Sequence, residues 1–575
     1  MSLNFNTFQS AGKLSSHIIP GAYSRIDSVK GAGGLASANN GVVMGSSKGG
    51  EPNTLLQFNT VAEAVGTLKS GELMEAVRLA FDPGGGYNPQ RVYAMRVNSA
   101  LQGTLDLLDV ASDTMITLTS ADYGLYVNQI KVILAAGTVE GKKLTIQFQS
   151  EDDEVFDDIY RASFEIEYVT GAATMTIVNT SAAQTLVTSA GGISIDLNDY
   201  ATIGELAAYI NDQTGFTCTA FSGQENASPL ELDSIVTADI NTAEYTAQST
   251  AHAIIDTVNA KSERLTAEAA NGVNELVIPE NLALTYVTSG SEGTYSTTEW
   301  TNNLITLEAE DIQFISTPST EAAVHAAIKT HCQSMSAVTG RKERQFLVGG
   351  AVASAVIATE ISTATAAAAV LNSPYGMYVF NGGTQRDVNG EIQTYAASYA
   401  ACMLMGMKCS MATNQPLTFK ELNFIALEWK LSDSQLETLL KNGVAPLNYS
   451  PNGQPRLVRQ FNTYQTSDLK YNEFSVVTEM LFVSRDLRVF LENRFIGKPG
   501  TAVTGGVLKG AVESRLAIYE DMGLFIRNPS EERAWWGVTI SMSGDTIYID
   551  YDAYITLPVN FEFITNHFHE MVSSV

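Results

Sequence analysis

Hydrophobic and polar positions change their spacing several times along the chain. After Thr60 the spacing is helical, because Leu73, Val77 and Phe81 share one helix face before Pro83 ends the pattern. A short apolar strand is predicted directly afterwards. Between residues 101 and 310 the apolar runs mostly alternate as in β-strands, and a single helix is predicted in that block. The predicted elements of this part are a strand at 92–97, strands at 144–148 and 164–168, and a helix at 203–211.

Strand and helix patterns alternate regularly after residue 311. Strands are predicted at 312–315, 345–348 and 375–380, and helices at 320–335, 354–370 and 393–408. This alternation is typical of a sheet with helices packed on its faces. Because the strand at 92–97 is expected to belong to the same sheet, residues 101–310 are predicted to be an insertion. Two helices, at 474–494 and 504–521, then precede β-like segments at 538–540, 546–556 and 560–569.

These patterns predict a multidomain α/β (α+β) fold. It consists of a mixed-sheet core with flanking helices, a large β-rich inserted domain, and extended strand-forming arms at both termini. A chain of 575 residues is too long for one hydrophobic core. The predicted boundaries are an N-terminal extended arm (1–35), the first part of the core (36–100), the acidic insertion (101–310), the second part of the core (311–450), a C-terminal core domain (451–555) and a C-terminal strand arm (556–575).

Charge is distributed very unevenly. The net charge is −28, and residues 101–310 contribute 31 acidic and 6 basic side chains to it. A domain this acidic repels copies of itself, so we expect the insertion to face outward in any close-packed assembly. The acidic balance also argues against a nucleic-acid partner, because phosphate binding requires clustered Lys and Arg.

Composition and the first residues argue for an ordinary cytosolic protein. Hydrophobic residues make up 45% of the chain, which suits globular domains. The opening residues lack the basic and apolar regions of a secretory signal, and no apolar run reaches 18 residues, so no membrane insertion is expected. The cysteines are scattered without a CxxC pair and are expected to be buried thiols: Cys218, Cys332, Cys402 and Cys409.

Motifs of enzymes and metal sites are weak. Neither a GxxxxGK[ST] phosphate loop nor a GxSxG nucleophile elbow occurs. His325 and His331 are six residues apart, so they do not converge on one helix face, and His331 is expected in the core or at its boundary. The acidic run at 151–158 lacks EF-hand spacing. We therefore predict no catalytic residue, no cofactor and no metal.

Several segments, taken together, resemble the tail sheath proteins of contractile phages. They are Pro-Gly-Ala-Tyr at 20–23, the strand at 92–97, Asp-Ile-Gln-Phe-Ile at 311–315, the helix and loop at 400–422, and the C-terminal segments at 485–497 and 507–523. The order and spacing of these segments carry the resemblance. It departs from the family at Ala22, where valine is usual.

The resemblance implies that both termini leave the subunit and add strands to sheets of neighbouring subunits, which is β-augmentation. The candidate arm residues are His17, Ile18, Ile19, Pro20, Gly21, Tyr23, Phe561, Phe563, Ile564 and Phe568. Contraction would switch rigid subunits between two packings, with hinges at Gly12, Gly31, Gly33 and Gly34. The family's inner surface is built from the C-terminal domain, which makes Lys509 and Arg515 candidate tube-facing residues.

The resemblance therefore implies a structural subunit that forms a helical homo-oligomer of stacked hexameric rings. Its expected partners are the tail tube, baseplate and tail terminator proteins, and its expected location is a virion tail assembled in the host cytoplasm. Two other hypotheses remain: a sheath of a phage-derived bacteriocin or cellular injection system, and a calcium-binding surface adhesion protein. An α/β enzyme with a decorative insertion is a further alternative.

Overall fold

The structure is a computed structural model. It describes residues 39–180, 183–270, 276–351, 355–498, 504–527, 530–543 and 545–560, residue 565, and the backbone of residues 6–10 and 13–17. Within these residues the helices are α1 (Val61–Leu68), α2 (Glu72–Phe81), α3 (Ile203–Asn211), α4 (Thr250–Lys261), α5 (Thr297–Leu307), α6 (Ala322–Met335), α7 (Ile357–Leu371), α8 (Ala397–Ser410), α9 (Asp433–Lys441), α10 (Leu469–Asn472), α11 (Phe474–Phe495) and α12 (Gly505–Asp521).

The strands of the described residues form several sheets. In chain order they are β1 (Asn6–Ser10), β2 (Lys13–His17), β3 (Gly41–Gly45), β4 (Leu55–Phe58), β5 (Val92–Arg96), β6 (Gln102–Leu108), β7 (Thr114–Tyr123), β8 (Ile130–Ala136), β9 (Lys142–Phe148), β10 (Glu154–Ile159), β11 (Ala162–Tyr168), β12 (Thr174–Thr180), β13 (Ala183–Thr188), β14 (Ser194–Asp196), β15 (Phe216–Ala220), β16 (Ile235–Asp239), β17 (Tyr245–Gln248), β18 (Leu265–Ala269), β19 (Leu282–Tyr286), β20 (Phe314–Ser316), β21 (Gln345–Gly349), β22 (Gly376–Phe380), β23 (Gly383–Arg386), β24 (Ile392–Tyr395), β25 (Ala426–Leu427), β26 (Val444–Tyr449), β27 (Pro455–Leu457), β28 (Trp535–Ser543) and β29 (Thr546–Ala553).

The chain divides into two compact units. Unit 1 contains residues 1–43, 79–93 and 307–575, and unit 2 contains residues 44–78 and 94–306. The chain passes from one unit to the other within β3, α2 and β5 and at the end of α5. The domain boundaries predicted from the sequence remain predictions.

A largely parallel sheet organises unit 1. Its strand order is β27-β26-β22-β21-β20-β3-β5. The pairs from β3 through β26 are parallel, and β27 runs antiparallel to β26. The strands β3, β21 and β22 are buried along their whole length, as expected for a parallel sheet that is covered on both faces.

The helix α8 forms the centre of the unit 1 core. Its sequence is apolar on all sides, and its residues from Ala397 to Lys408 are almost all buried where it packs against β20, β21 and β22. A Cβ atom at Gly406 would lie 1.9 Å from the carbonyl oxygen of Ala80. Only glycine therefore allows this close approach of α8 to the end of α2.

Unit 2 contains two hydrophobic cores. One is built from β6 to β10, α4, β18 and β19, with Leu118, Val132, Ile146 and Ile254 fully buried. The other is built from β11 to β17 and α3. Because the second core uses residues 164–247 and the first uses residues on both sides of that range, the second core is inserted in the chain of the first.

Arg96 and Asn98 join the beginning and the end of the unit 2 chain. The Arg96 side chain is fully buried, donates to the carbonyl oxygens of Gly50 and Tyr123, and pairs with Glu292 at 3.1 Å. The Asn98 amide donates to the Glu292 carbonyl oxygen at 2.7 Å. These contacts hold the chain where it enters and leaves the β-rich block.

The predicted fold class is confirmed, and the strand and helix alternation after residue 311 is present as β20, α6, β21, α7, β22 and α8. The prediction of a single helix between 101 and 310 was wrong, because α4 and α5 also lie there. α5 is rich in Thr and Asn, which conceals its apolar face, whereas α4 has a helical apolar stripe at Ala251, Ile254 and Val258 that the prediction overlooked. The predicted strand at 560–569 lies outside the described residues apart from residues 560 and 565.

Candidate assembly site in the C-terminal lobe

The last part of unit 1, which we call the C-terminal lobe (residues 469–560), has its own hydrophobic core. The core lies between α11, α12 and the β28–β29 hairpin, and includes Phe482, Leu516, Tyr519 and Trp535. An amphipathic stripe on α12 repeats every three or four residues at Leu508, Val512, Leu516 and Tyr519, which explains why this helix packs on the hairpin.

A buried ionic contact joins the two long helices of the lobe. On α12, the Arg515 guanidinium donates to both carboxylate oxygens of Asp486 on α11, each at 2.7 Å, and the Tyr519 hydroxyl donates to the same carboxylate. The Arg515 and Asp486 side chains are 5% and 1% exposed. Burial raises the pKa of Tyr519, and the Asp486 carboxylate raises it further.

The Arg515 guanidinium, a candidate tube-facing group in the sequence analysis, binds Asp486 inside the lobe. Its tube-facing role remains a prediction. Lys509, one and a half turns earlier, is half exposed and lies 4.0 Å from Glu513. Its tube-facing role remains a prediction.

The exposed face of α12 around Lys509 carries three glycines. A Cβ added at Gly505, Gly506 or Gly510 would meet no atom within 4 Å, so these glycines border open space. The exposed apolar residues Val507 and Ile518 lie on the same helix. Helix backbone is therefore directly accessible on this side of the lobe.

The β28–β29 hairpin forms a two-stranded sheet of its own. Its register runs from Trp535 opposite Ala553 to Ser543 opposite Thr546, with an irregularity between Trp536 and Thr539. Gly537 lies at that irregularity with φ +69°, a left-handed conformation that favours glycine. Neither long edge of this hairpin is paired with another strand of the described residues.

The two faces of the hairpin differ. Along β29 half-buried and exposed residues alternate, with Ile547, Ile549 and Tyr551 on the inner face. Tyr548, Asp550 and Asp552 are exposed on the outer face. The β28 strand contributes Trp536 to the outer surface, where its ring stacks on Tyr554 at 4.6 Å between centroids.

A long groove of about 760 Å³ runs beside the hairpin. One wall is a stripe of α11 side chains that recurs every three or four residues from Met480 to Phe495, and the other is the inner face of β29 from Ile547 to Ile555. The lining is mostly aliphatic and aromatic, and charged side chains stand at its border: Lys470, Arg488, Glu492 and Asp545. The helix wall is about 22 Å long at 1.5 Å per residue.

The described chain ends beside α11. The Asn560 amide donates to the Glu473 carboxylate at 3.0 Å, and Glu473 also pairs with Arg459 at 2.6 Å. Burial raises the pKa of Glu473, against the opposing effect of Arg459. This contact holds Asn560 against the start of α11.

The predicted arm and hinge residues lie almost entirely outside the described residues. His17 ends β2, which pairs with β1 in an antiparallel hairpin, and nothing else is described of the N-terminal arm before residue 39. The remaining predicted positions are all outside: Ile18, Ile19, Pro20, Gly21, Tyr23, Phe561, Phe563, Ile564 and Phe568 for the arms, and Gly12, Gly31, Gly33 and Gly34 for the hinges.

The candidate metal ligands of the sequence have other partners. His331 accepts from the buried Arg344 guanidinium at 2.7 Å, and His325 contacts the Ser319 carbonyl oxygen at 2.8 Å. Burial, and then the Arg344 charge, lower the pKa of His331 to about 3. Among the described residues no group of three His, Cys, Asp or Glu side chains could hold a metal ion.

The acidic run at 151–158 is engaged within unit 2. Glu151 and Glu154 lie beside Arg264, and Asp157 pairs with Lys143 at 2.7 Å. The Asp158 carboxylate accepts from the backbone of residues 139 and 140. These carboxylates therefore serve as internal acceptors, and the geometry does not favour a calcium site. None of the described helices is both long and apolar enough to cross a membrane.

Sequence reasoning missed the groove and the charges on the hairpin. A signal was available, because Ile547, Ile549 and Tyr551 alternate with Tyr548, Asp550 and Asp552. That pattern indicates a strand with one apolar and one acidic face. The α11 wall was harder to recognise, since nearly every position of that helix facing the core is also apolar.

Tail sheath proteins are among the known proteins that resemble this chain in sequence or in fold. A family profile described as "Phage tail sheath protein central domain" matches residues 293–463. The tail sheath protein of Bacillus phage SP01 is 26% identical over 96% of this chain and 95% of its own length. A putative tail sheath protein of Enterococcus phage phiEF24C is 24% identical over 84% of this chain and 86% of its own length.

The fold agrees with these sequence matches. The crystal structure of a sheath tail protein from Desulfitobacterium hafniense superimposes with a TM-score of 0.55 and 13% identity, over 93% of this chain and 96% of that one. The two relatives match most of the chain, and the solved structure shares its fold. The chain is therefore similar to phage tail sheath proteins in both sequence and fold.

Proposed function

We propose that this chain is the structural subunit of a contractile tail sheath, which polymerises helically around a tail tube and shortens to drive the tube through a host envelope. The observation that carries the proposal is the β28–β29 hairpin, whose two edges have no partner strand among the described residues. An isolated two-stranded hairpin is marginally stable, and an open edge invites another chain.

Strand addition explains how such a hairpin would work in a polymer. Each copy has the β28–β29 hairpin, whose two edges are unpaired among the described residues. Each copy also has two arms, at residues 1–35 and 556–575. When each arm adds a strand to a different neighbour, every copy is both donor and acceptor. Because donor and acceptor surfaces differ, the contact is head-to-tail and generates an open helical assembly.

Buried polar groups in the lobe are consistent with missing neighbours. The Trp535 indole N–H is buried at the start of β28 and has no acceptor in the described structure.

Contraction in this proposal moves nearly rigid subunits while the arms remain attached. The contact between Asp486, Arg515 and Tyr519 keeps the lobe rigid, and Gly12, Gly31, Gly33 and Gly34 in the N-terminal arm act as hinges. The energy is stored during assembly, so the subunit needs no catalytic activity and no cofactor.

The proposal also covers the tail tube, the outer surface and the ends of the sheath, which follow from the family resemblance and from charge. The C-terminal domain (451–555), including Lys509, faces the tail tube, and the acidic insertion (101–310) faces outward, where its 31 acidic side chains are solvated. The copies form stacked hexameric rings that end at baseplate and tail terminator proteins, with no contact to nucleic acid or membrane. Assembly takes place in the host cytoplasm. The curated relatives come from phages, which favours a virion tail over a bacteriocin or cellular injection system.

Electron microscopy of the purified chain tests this proposal. We expect the full chain to form hollow tubes by negative staining, and we expect deletion of residues 1–22 or 560–575 to abolish them. Shorter deletions, of residues 1–5 or 571–575, are the matched controls and should leave tubes intact. Circular dichroism must show that each variant is folded. If the folded full chain remains monomeric, or if both long deletions still form tubes, strand addition through the arms is not the assembly mechanism.

A further inference from the structure

A small cavity lies at the carboxyl end of the parallel sheet in unit 1. Its volume is about 20 Å³, which is room for a single water-sized occupant. Gly350, which follows β21, lines it together with Tyr378 and Asn381 at the end of β22, and Glu360 and Thr363 of α7 close it. The strands β21 and β22 are parallel neighbours. Open α/β sheets bind their ligands outside this edge, so the cavity lies where a ligand is expected.

The Glu360 side chain is a buried carboxylate at this cavity. It lies in the first turn of α7, lines the cavity and is 4% exposed. Within the described residues the carboxylate forms neither a hydrogen bond nor an ion pair. Burial of a carboxylate without a partner is strongly unfavourable, so a compensating group is expected in the cavity.

The Tyr378 hydroxyl is a second oxygen at the cavity that lacks a partner among the described residues. The Tyr378 side chain is 5% exposed. A Cβ atom at Gly350 would lie 2.4 Å from its hydroxyl oxygen, so the glycine leaves the space that this oxygen occupies. Burial, and then the Glu360 charge, raise the pKa of Tyr378 to about 12. The hydroxyl and the Glu360 carboxylate are therefore close enough to act on each other.

A second carboxylate, that of Glu428, lies beside the cavity. The Asn381 amide donates to the Trp429 carbonyl oxygen at 2.8 Å, and the Glu428 N–H donates to the Gly382 carbonyl oxygen at 3.0 Å. These bonds hold Glu428 at the end of β22. Its Oε2 atom is buried and has no hydrogen-bond partner in the described structure. Burial raises the pKa of this carboxyl, and the nearby Glu360 charge raises it further.

We infer that this cavity binds a calcium ion, with the Glu360 and Glu428 carboxylates and the Tyr378 hydroxyl as ligands. All three groups offer oxygen, which hard cations prefer, and two carboxylates match a divalent charge. Ca²⁺ takes about six to eight oxygens at about 2.3–2.6 Å in flexible geometry, whereas Mg²⁺ keeps several of its waters. A cavity with room for one occupant favours Ca²⁺. The inference goes beyond the proposed function and does not depend on it.

Calorimetric titration of the full-length chain with calcium chloride, after treatment with a chelator, tests the inference. We expect the wild-type chain to bind one ion at this site, and we expect Glu360→Gln or Glu428→Gln to weaken the binding by about tenfold or more. Glu391→Gln is the matched control, because Glu391 is exposed and its replacement should leave the binding unchanged. Magnesium chloride should bind more weakly than calcium chloride.

Thermal unfolding gives an independent readout, which also shows whether the variants fold. In the presence of chelator, Glu360→Gln should unfold at the same temperature as the wild-type chain or at a higher one, because it removes an unpaired buried charge. In the presence of calcium the order should reverse, because only the wild-type chain is stabilised by the bound ion. A purely structural role of Glu360 does not produce this reversal.

Three results would overturn the inference. If calcium changes neither the heat of titration nor the thermal midpoint of the wild-type chain, the cavity holds only water. If Glu360→Gln and Glu428→Gln bind calcium as the wild-type chain does, the ion binds elsewhere, for example at acidic side chains of unit 2. If Glu360→Gln destabilises the chain in chelator, the carboxylate has a partner within the chain. Tube formation in the electron microscope is a separate measurement, so none of these results decides the proposed function.

Discussion

Replacing Glu479 by glutamine should stabilise the subunit near neutral pH. Glu479 lies on α11 and is 1% exposed, and its Oε2 atom accepts no hydrogen bond in the described structure. Lys408, at the end of α8, is the charged group that acts on it. The three ammonium hydrogens of Lys408 are directed at carbonyl oxygens of residues 412, 413 and 415, so the ammonium is not bonded to the carboxylate.

The magnitude follows from the protonation of Glu479. Burial raises the pKa of this carboxyl from 4.5 to about 9, although the Lys408 charge opposes the shift. Between these values the folded chain binds a proton that the unfolded chain releases. Stability therefore falls as pH rises through this window, by about 1.4 kcal/mol per pH unit. At pH 7, which is about 2.5 units above the pKa of Glu479 in the unfolded chain, keeping this carboxyl protonated in the folded chain costs about 3 kcal/mol of stability. Glutamine binds no such proton and avoids this cost.

Urea unfolding at pH 5, 6, 7 and 8, followed by tryptophan fluorescence, measures the effect. The difference in stability between Glu479→Gln and the wild-type chain should be small at pH 5 and grow with pH. Glu391→Gln is the matched control, since Glu391 is exposed and its replacement should change stability by less than about 0.5 kcal/mol. If Glu479 and Lys408 instead form a charged pair, the same substitution destabilises by about 3–5 kcal/mol, and that result would refute the reasoning.

Three further substitutions test other buried contacts. Arg515→Ala leaves the Asp486 carboxylate buried without its partner and should destabilise the C-terminal lobe by about 3–5 kcal/mol in urea unfolding, whereas Lys509→Ala should have little effect. Gly406→Ala should lower the thermal midpoint strongly or prevent folding, because the new methyl group would overlap the Ala80 carbonyl oxygen. The pKa of His331 is about 3 in the folded chain, below its ordinary value of 6.5 in the unfolded chain. The stability gained from burying the neutral His331 ring is therefore complete above pH 6.5 and is lost as the pH falls. His331→Gln should therefore flatten the stability profile between pH 6.5 and 4, by about 1.4 kcal/mol per unit, and an unchanged acid limb would contradict this.

The helices that are strongly periodic could be predicted from sequence alone. α6, α11 and α12 lie within a few residues of their predicted bounds, because apolar positions recur at three- and four-residue intervals over several turns. α5 could not be recognised, since threonine and asparagine occupy many of its positions, and its helical state depends on tertiary packing. α4 could have been recognised, since Ala251, Ile254 and Val258 recur at helical spacing.

The position of Arg515 on its helix indicates burial, although its residue type does not. A charged residue on a helix usually lies at the surface, and the sequence analysis accordingly made Arg515 a candidate surface contact with the tube. Yet Arg515 lies one turn after Ala511 and one turn before Tyr519, on the apolar stripe of α12. Asp486 has the same relation to Phe482 and Phe490 on α11. Two opposite charges, each on the buried stripe of a neighbouring helix, indicate a buried pair, and this signal could have been read before the structure was known.

The groove beside β29 could be predicted only in part, because the alternation along β29 indicates its apolar face whereas its other wall, on α11, is far away in sequence. In the single chain the hairpin has two strands, an inner face that is only half-buried and two open edges. Two strands rarely support a stable sheet, whereas four strands packed on α11 and α12 would bury the groove and pair both edges. In the proposed assembly, a strand added by an arm of another copy would complete the sheet of the lobe, so completion of the lobe and addition of a subunit would be the same event.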